Sequence, residues 1–130
     1  LDAWHQDDGT GRPLIVDLKT TADANPETFA RTAITYGYDQ QIAHYRDIME
    51  AETGTLPRFL FVLVEKAAPD LVSVVELDDL FYDLGRQKNE TAAAKWLHAK
   101  ETNQWPGYQG INRVLAPMWA LDELEEEIIE

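Results

Sequence analysis

The sequence predicts an α/β fold, a central mixed β-sheet flanked by helices, and three observations predict it. The 130-residue chain is 45% hydrophobic, enough for one globular domain with a core of its own. Its punctuation divides it in the order strand, strand, helix, helix, strand, strand, helix, which is a sandwich of sheet and helices rather than a doubly wound alternation. Phe59 to Val64 and Leu71 to Glu76 are near-continuous apolar runs joined by a Pro-containing turn, so both read as strands buried on two faces.

Each element has a local cause. Leu1 to His5 is a short strand, Gln6 to Pro13 a polar turn with two glycines, and Leu14 to Thr21 a second strand, so the three form a hairpin. Asn25-Pro26-Glu27 starts a helix: a capping side chain, a proline where no N–H is needed, and an acid at the positive end of the dipole. That helix runs to about Thr35. Gly37 breaks it, and Gln40 to Glu52 forms the next helix, which stops before Gly54. Asp78 caps a long helix that reaches about Lys100. Residues 1–121 read as one domain and 122–130 as an acidic tail.

Composition excludes several chemistries. The absence of cysteine removes disulfides, thiolate nucleophiles, cysteine zinc sites and iron–sulfur clusters supplied by this chain. No apolar stretch approaches the ~20 residues that cross a bilayer, and no basic and then apolar leader opens the chain, so the expectation is an intracellular protein without a membrane partner. The chain begins with Leu, inside a strand-like pattern, which reads as a fragment of a longer polypeptide. A net charge of −13 argues against indiscriminate nucleic-acid binding, because polyanion affinity comes from basic groups replacing counterions. Six of the acids lie in Asp122 to Glu130, without a base among them, and setting them aside leaves −7.

The run Leu14-Ile15-Val16-Asp17-Leu18-Lys19-Thr20-Thr21 carries the chemistry. Side chains on a strand alternate faces, so Asp17 and Lys19 project to one side about 6.5 Å apart, while Leu18 turns the other way into the core. If Asp2 converges on Asp17, the pair offers oxygen ligands to a hard divalent cation, and Lys19 stands beside the place where an attacking water would sit. This is a pattern for metal-assisted phosphodiester cleavage. Asp-x-Lys alone is common; in isolation it reads as a surface ion pair.

The ordered set is more specific. Ile15 to Asp23, then Tyr36-Gly37-Tyr38-Asp39-Gln40-Gln41-Ile42-Ala43-His44-Tyr45, then Trp105-Pro106-Gly107-Tyr108 and Leu115 to Ala120, resembles the PD-(D/E)XK nuclease superfamily over nearly the whole chain. Within it the likeness is to the exonuclease VIII (RecE-type) and RecB-like nuclease domains of bacteria and prophages. The resemblance implies a restriction-endonuclease-like core, and a DNA exonuclease that hydrolyses phosphodiesters from duplex ends, 5′ to 3′, in recombination or phage DNA metabolism. Asp2 matches the first acid, Asp17 the second and Lys19 the motif lysine; the Leu18 carbonyl is the implied further metal ligand. Gln41 and Tyr45 match the glutamine and tyrosine of the next helix, and their spacing of four puts them on one face. Magnesium is the implied cofactor, with manganese as a substitute. Further implications are a ring-shaped homo-oligomer on double-stranded DNA ends, a single-strand annealing protein as partner, and a cytoplasmic, bacterial or phage setting. Relatives carry a metal-binding histidine on an upstream helix, and nothing before Leu1 supplies one, so the chain reads as lacking its N-terminal part. Non-catalytic nucleic-acid binding and endonuclease activity on the same fold are the alternatives.

Other residues read as structural. His5 falls on the opposite strand face from Asp2, His44 faces solvent, and His98 sits near a helix C-terminus. Thr21 shares a face with Lys19 but ends a strand. Trp96, Trp105 and Trp119 read as packing residues, with the Trp105 to Trp119 segment as a candidate subunit interface, and Arg86, Lys88, Lys95 and Lys100 as a solvated basic stripe.

Overall fold

The computed structural model describes residues 2–118. The elements are β1 (Ala3–His5), β2 (Leu14–Thr21), α1 (Pro26–Thr35), α2 (Tyr38–Thr53), β3 (Arg58–Glu65), β4 (Val72–Glu76) and α3 (Asp79–Thr102). They fall into two compact units, Leu1–His98 and Ala99–Glu130. Among the described residues no helix is long and apolar enough to cross a membrane.

In the first unit the sheet is mixed, in the order β1-β2-β3-β4. β1 and β2 are antiparallel, β2 and β3 parallel with Asp17 opposite Phe61, and β3 and β4 antiparallel with Phe61 opposite Val75. The parallel step requires a crossover, and α1 and α2 make it.

The helix starts and stops follow the local chemistry read from the chain. Asn25 Oδ1 accepts from Glu27 N at 3.0 Å, with Pro26 in the first turn. Gly37, at φ 70°, and Gly54, at φ 75°, bracket α2 in left-handed conformations that favour glycine. Asp78 Oδ1 accepts from Phe81 N at 3.3 Å at the head of α3.

The core lies on one face of the sheet. Ile15, Phe59, Phe61, Leu63 and Val75 point to it and pack with Phe29 and Ala33 of α1, Ile42 and Ala43 of α2, and Tyr82 of α3. Full burial of an aromatic or branched side chain is worth about 1.5–3 kcal/mol, so this cluster accounts for much of the stability of the unit.

The opposite face corrects two expectations. β3 and β4 are buried on one face only: Leu60, Val62 and Val64 are half-buried, and Val72 and Val74 are about 60% exposed. Leu18 belongs to this open face and is exposed, so it does not turn into the core. The helix-covered side is the one that carries Asp17 and Lys19. An apolar run alone reports strand propensity; which faces are covered depends on elements elsewhere, and among the described residues the helices of this unit pack on one side.

α3 is fastened to α2 by close approach and by charge. At Gly85 an added Cβ would lie 1.9 Å from the Asp39 carbonyl oxygen, so the crossing admits only glycine. Lys88 bonds the fully buried Asp39, Gln40 Nε2 donates to Asn89 Oδ1 at 3.1 Å, and Tyr82 OH donates to Asp47 at 2.5 Å. Arg86 lies 3.7 Å from Asp47 and 3.4 Å from Glu90. Lys88 and Arg86 are therefore tied to carboxylates and are not part of a free basic stripe.

In the second unit α3 ends at Thr102, followed by Asn103 at φ 53°, a helix stop asparagine tolerates well. Residues 103–117 form no regular element, and Trp105, Tyr108, Ile111, Val114 and Leu115 are exposed. Trp119 and the acidic tail 122–130 lie outside the described residues.

Candidate metal and phosphodiester site

The site is built on the middle of β2. Asp17 is 3% exposed, and Lys19, two residues on and therefore on the same face, places its Nζ 2.7 Å from Asp17 Oδ2. Burial works to raise the Asp17 carboxyl; the hydrogen bond and charge of the Lys19 ammonium are among the effects that outweigh it, and the group sits below its ordinary value. Asp17 is therefore an anion at neutral pH.

Asp2 reaches the same strand from its edge. Its Oδ2 accepts from Leu18 N at 2.6 Å, one residue beyond Asp17. The N–H and C=O of one strand residue point to the same edge, so the Leu18 carbonyl also faces the Asp2 side. The oxygens of Asp2, Asp17 and the Leu18 carbonyl are hard donors, a chemistry that suits magnesium, manganese or calcium better than zinc. Among the described residues no group of three or more His, Asp or Glu side chains converges as a metal cage.

α2 lies over this face. Tyr38, Gln41 and Tyr45 follow one another at helical spacing. Tyr38 sits beneath Lys19, whose Nζ is 4.5 Å from its ring centroid, and packs on Phe61 at 5.6 Å; Tyr45 stacks on Phe59 at 6.4 Å. Gln41 is half-buried between them on the same stripe. Tyr45 thus joins the core by its ring, while Tyr38, which the motif reading passed over, is the aromatic residue in contact with the lysine. The signal was present in the sequence: Tyr38 precedes Gln41 by three residues and so shares its face.

The remaining candidates fall elsewhere. His5 pairs with Leu14 on the open face and its Nδ1 lies 2.8 Å from Asp7 O, and His44 is exposed. Thr21 Oγ1 donates to Asp23 O at 2.9 Å, shaping the loop before α1. Ala24 N donates to Glu65 Oε1 at 3.0 Å and Ser73 Oγ to Ala24 O at 2.5 Å, pinning that loop to the ends of β3 and β4.

Two clefts open at opposite ends of the sheet. The larger, about 700 Å³, is at the start of β3, and its two arginines are already engaged: Arg46 with Pro57 O at 3.0 Å and Asp79 at 3.4 Å, Arg12 with Leu56 O at 3.2 Å. The smaller, about 560 Å³, begins at Lys19 and continues past the end of β2 to Tyr36 and Lys66. It is the one connected to the Asp17–Lys19 pair.

Comparison with known proteins bears on the fold and the family. A crystal structure described as a "putative exonuclease" from Eubacterium rectale superposes with a TM-score of 0.62 at 23% identity, covering 80% of this chain and 44% of the other, which shows a shared fold. The chain thus spans less than half the length of that protein. No curated protein matches it. A family model matches residues 2–115, from Asp2 through the Asp17–Lys19 strand to Leu115, and the chain accordingly belongs to the family of the PDDEXK-like domain of unknown function (DUF3799).

Proposed function

We propose that this domain is a divalent-metal-dependent nuclease that hydrolyses DNA phosphodiesters, acting as an exonuclease on duplex ends. The single observation that carries the reading is the buried Asp17 carboxylate with the Lys19 ammonium 2.7 Å away on the same strand face, in a family of PDDEXK-like domains. Asp2, Asp17 and the Leu18 carbonyl would hold the ion, which when bound supplies Lewis acidity and an acidified water. Lys19, held between Asp17 and the Tyr38 ring, presents a fixed positive charge to the anion that develops at the phosphate. Gln41, neutral and able both to donate and accept, suits the orientation of Lys19 or of water without competing for the cation.

The 5′-to-3′ polarity, magnesium as the working ion, a ring of subunits, and a role in recombination or phage DNA metabolism belong to the same proposal and rest on the resemblance. A non-catalytic nucleic-acid-binding module is the second reading, and one observation favours it: among the described residues the acidic ligand set stops short of three.

End-labelled linear duplex and closed circular duplex, each incubated with magnesium, manganese or calcium, separate these readings. An exonuclease degrades only the linear form, with magnesium or manganese and not calcium. Cleavage of the circle indicates an endonuclease. Binding without hydrolysis of either form would move the binding module ahead.

A further inference from the structure

The first turn of α2 serves two sides of the molecule. Tyr38 and Gln41 share the face turned to the Asp17–Lys19 strand, while Asp39 and Gln40, between them in sequence, meet α3. The turn has no cap of its own. A helix N-terminus leaves backbone N–H groups unsatisfied, and Gly37 at the N-cap has no side chain to accept from them. A first turn without a cap opens readily unless another element holds it.

That element is α3, which holds the turn through two successive residues. Lys88 Nζ donates to Asp39 Oδ2; Asp39 is fully buried and its Oδ1 has no hydrogen-bond partner among the described residues, so the carboxylate depends on this ammonium. Asn89 grips Gln40 twice: Nδ2 donates to Gln40 O at 3.0 Å, and Oδ1 accepts from Gln40 Nε2 at 3.1 Å. The opposite face of the same turn carries the Tyr38 ring, whose centroid is 4.5 Å from Lys19 Nζ. An unbroken run of contacts therefore leads from Lys88 and Asn89, through Asp39 and Gln40, to Tyr38 and Lys19.

We propose that Lys88 and Asn89 are positioning residues for Lys19: by gripping the first turn of α2 from behind, they set where the Tyr38 ring stands and so where the Lys19 ammonium sits beside Asp17. Their use in catalysis rests on the nuclease reading; the positioning itself does not. Phe29 and Phe61 also pack on the Tyr38 ring, at 5.9 and 5.6 Å, but apolar contact is non-directional. The hydrogen bonds to Asp39 and Gln40 are directional and fix the turn in one place. A misplacement of about 1 Å at a reacting group can cost about a hundredfold in rate, so even a small shift of the turn registers in kcat.

The test reads Lys19 itself. Protons over the face of an aromatic ring resonate upfield, so in the metal-free protein the Lys19 ε-methylene protons, assigned by their loss in Lys19→Arg, are expected upfield of those of exposed lysines. Asn89→Ala and Lys88→Met are each expected to lose most of that shift and to lower kcat on labelled linear duplex about fivefold or more with KM little changed. Tyr82→Phe is the control: it removes the Tyr82–Asp47 hydrogen bond between the same two helices, away from the first turn, and is expected to change neither reading. Circular dichroism and urea unfolding establish that each variant is folded, and Asn89→Ala alone decides the matter if Lys88→Met does not fold. A parent without the upfield shift, a shift and kcat unchanged in Asn89→Ala, or equal losses in Tyr82→Phe would overturn the proposal. Failure of the nuclease reading looks different: the Lys19 shift still depends on Asn89 while the parent hydrolyses no DNA with any metal.

Discussion

The Lys19 ammonium lies 4.5 Å from the centroid of the Tyr38 ring, and the same ammonium is 2.7 Å from Asp17. A flexible four-carbon arm is thereby held between an anion on its own strand and an aromatic face on α2. A partly desolvated cation over an aromatic ring gains about 1 kcal/mol, enough to favour one arm position over its alternatives. Tyr38→Leu is expected to lower kcat about tenfold with little change in KM, and Tyr38→Phe to keep near-parental turnover because the ring remains. Steady-state kinetics on labelled duplex provide the check; equal losses in both variants would place the role in the hydroxyl instead.

The motif residues should differ in kind as well as degree. Asp17→Ala is expected to abolish both metal binding and hydrolysis, Lys19→Ala to leave metal binding intact while removing turnover, and Gln41→Ala to give an intermediate loss. Calorimetric metal titration alongside the cleavage assay reads both effects. Near-normal cleavage by Lys19→Ala would make the lysine structural.

Gly85 should be intolerant of substitution. With the new Cβ built 1.9 Å from the Asp39 carbonyl oxygen, Gly85→Ala must push α3 off α2, and the expected loss is about 3 kcal/mol in urea unfolding. Lys88→Met leaves the buried Asp39 carboxylate without its cation and should also cost about 3 kcal/mol, with Asp39→Asn added to Lys88→Met recovering part of it. A neutral Gly85→Ala would contradict the crossing.

Acid should loosen the hairpin. Thr10, through its hydroxyl and its N–H, lowers Asp8 from 3.8 to about 2, and Asp17 is also below its ordinary value. Depressed carboxylates contribute stability that is present above the unfolded value and lost as pH falls through the folded one. The urea midpoint is therefore expected to hold down to about pH 4 and to fall between there and about pH 2, less steeply in Asp8→Asn. An acid limb identical in Asp8→Asn would remove Asp8 from the cause.

What was legible in the chain was what local physics decides. Asn25, Asp78 and Gly54 announce helix ends because capping and left-handed turns act within a few residues, and Asp17 and Lys19 share a face because a strand alternates. The illegible part was non-local. Lys88 and Asp39 are 49 residues apart, so the lysine read as part of a solvated stripe when it neutralises a buried acid. Leu18, Val72 and Val74 are apolar on a face that the helices of this unit leave open, and no pattern within a strand tells which of its faces will be covered. Tyr38 was visible only as a neighbour of Gln41 until the fold brought Lys19 against its ring on α2.

The central claim is that Asp17, with Asp2 and the Leu18 carbonyl, holds a divalent cation beside Lys19. Manganese titration followed by paramagnetic broadening of backbone amide resonances tests it directly. Broadening at substoichiometric metal that begins at Asp2 and residues 17–19, and disappears in Asp17→Asn, is the expected result; broadening confined to the acids of Asp122 to Glu130 would contradict the claim.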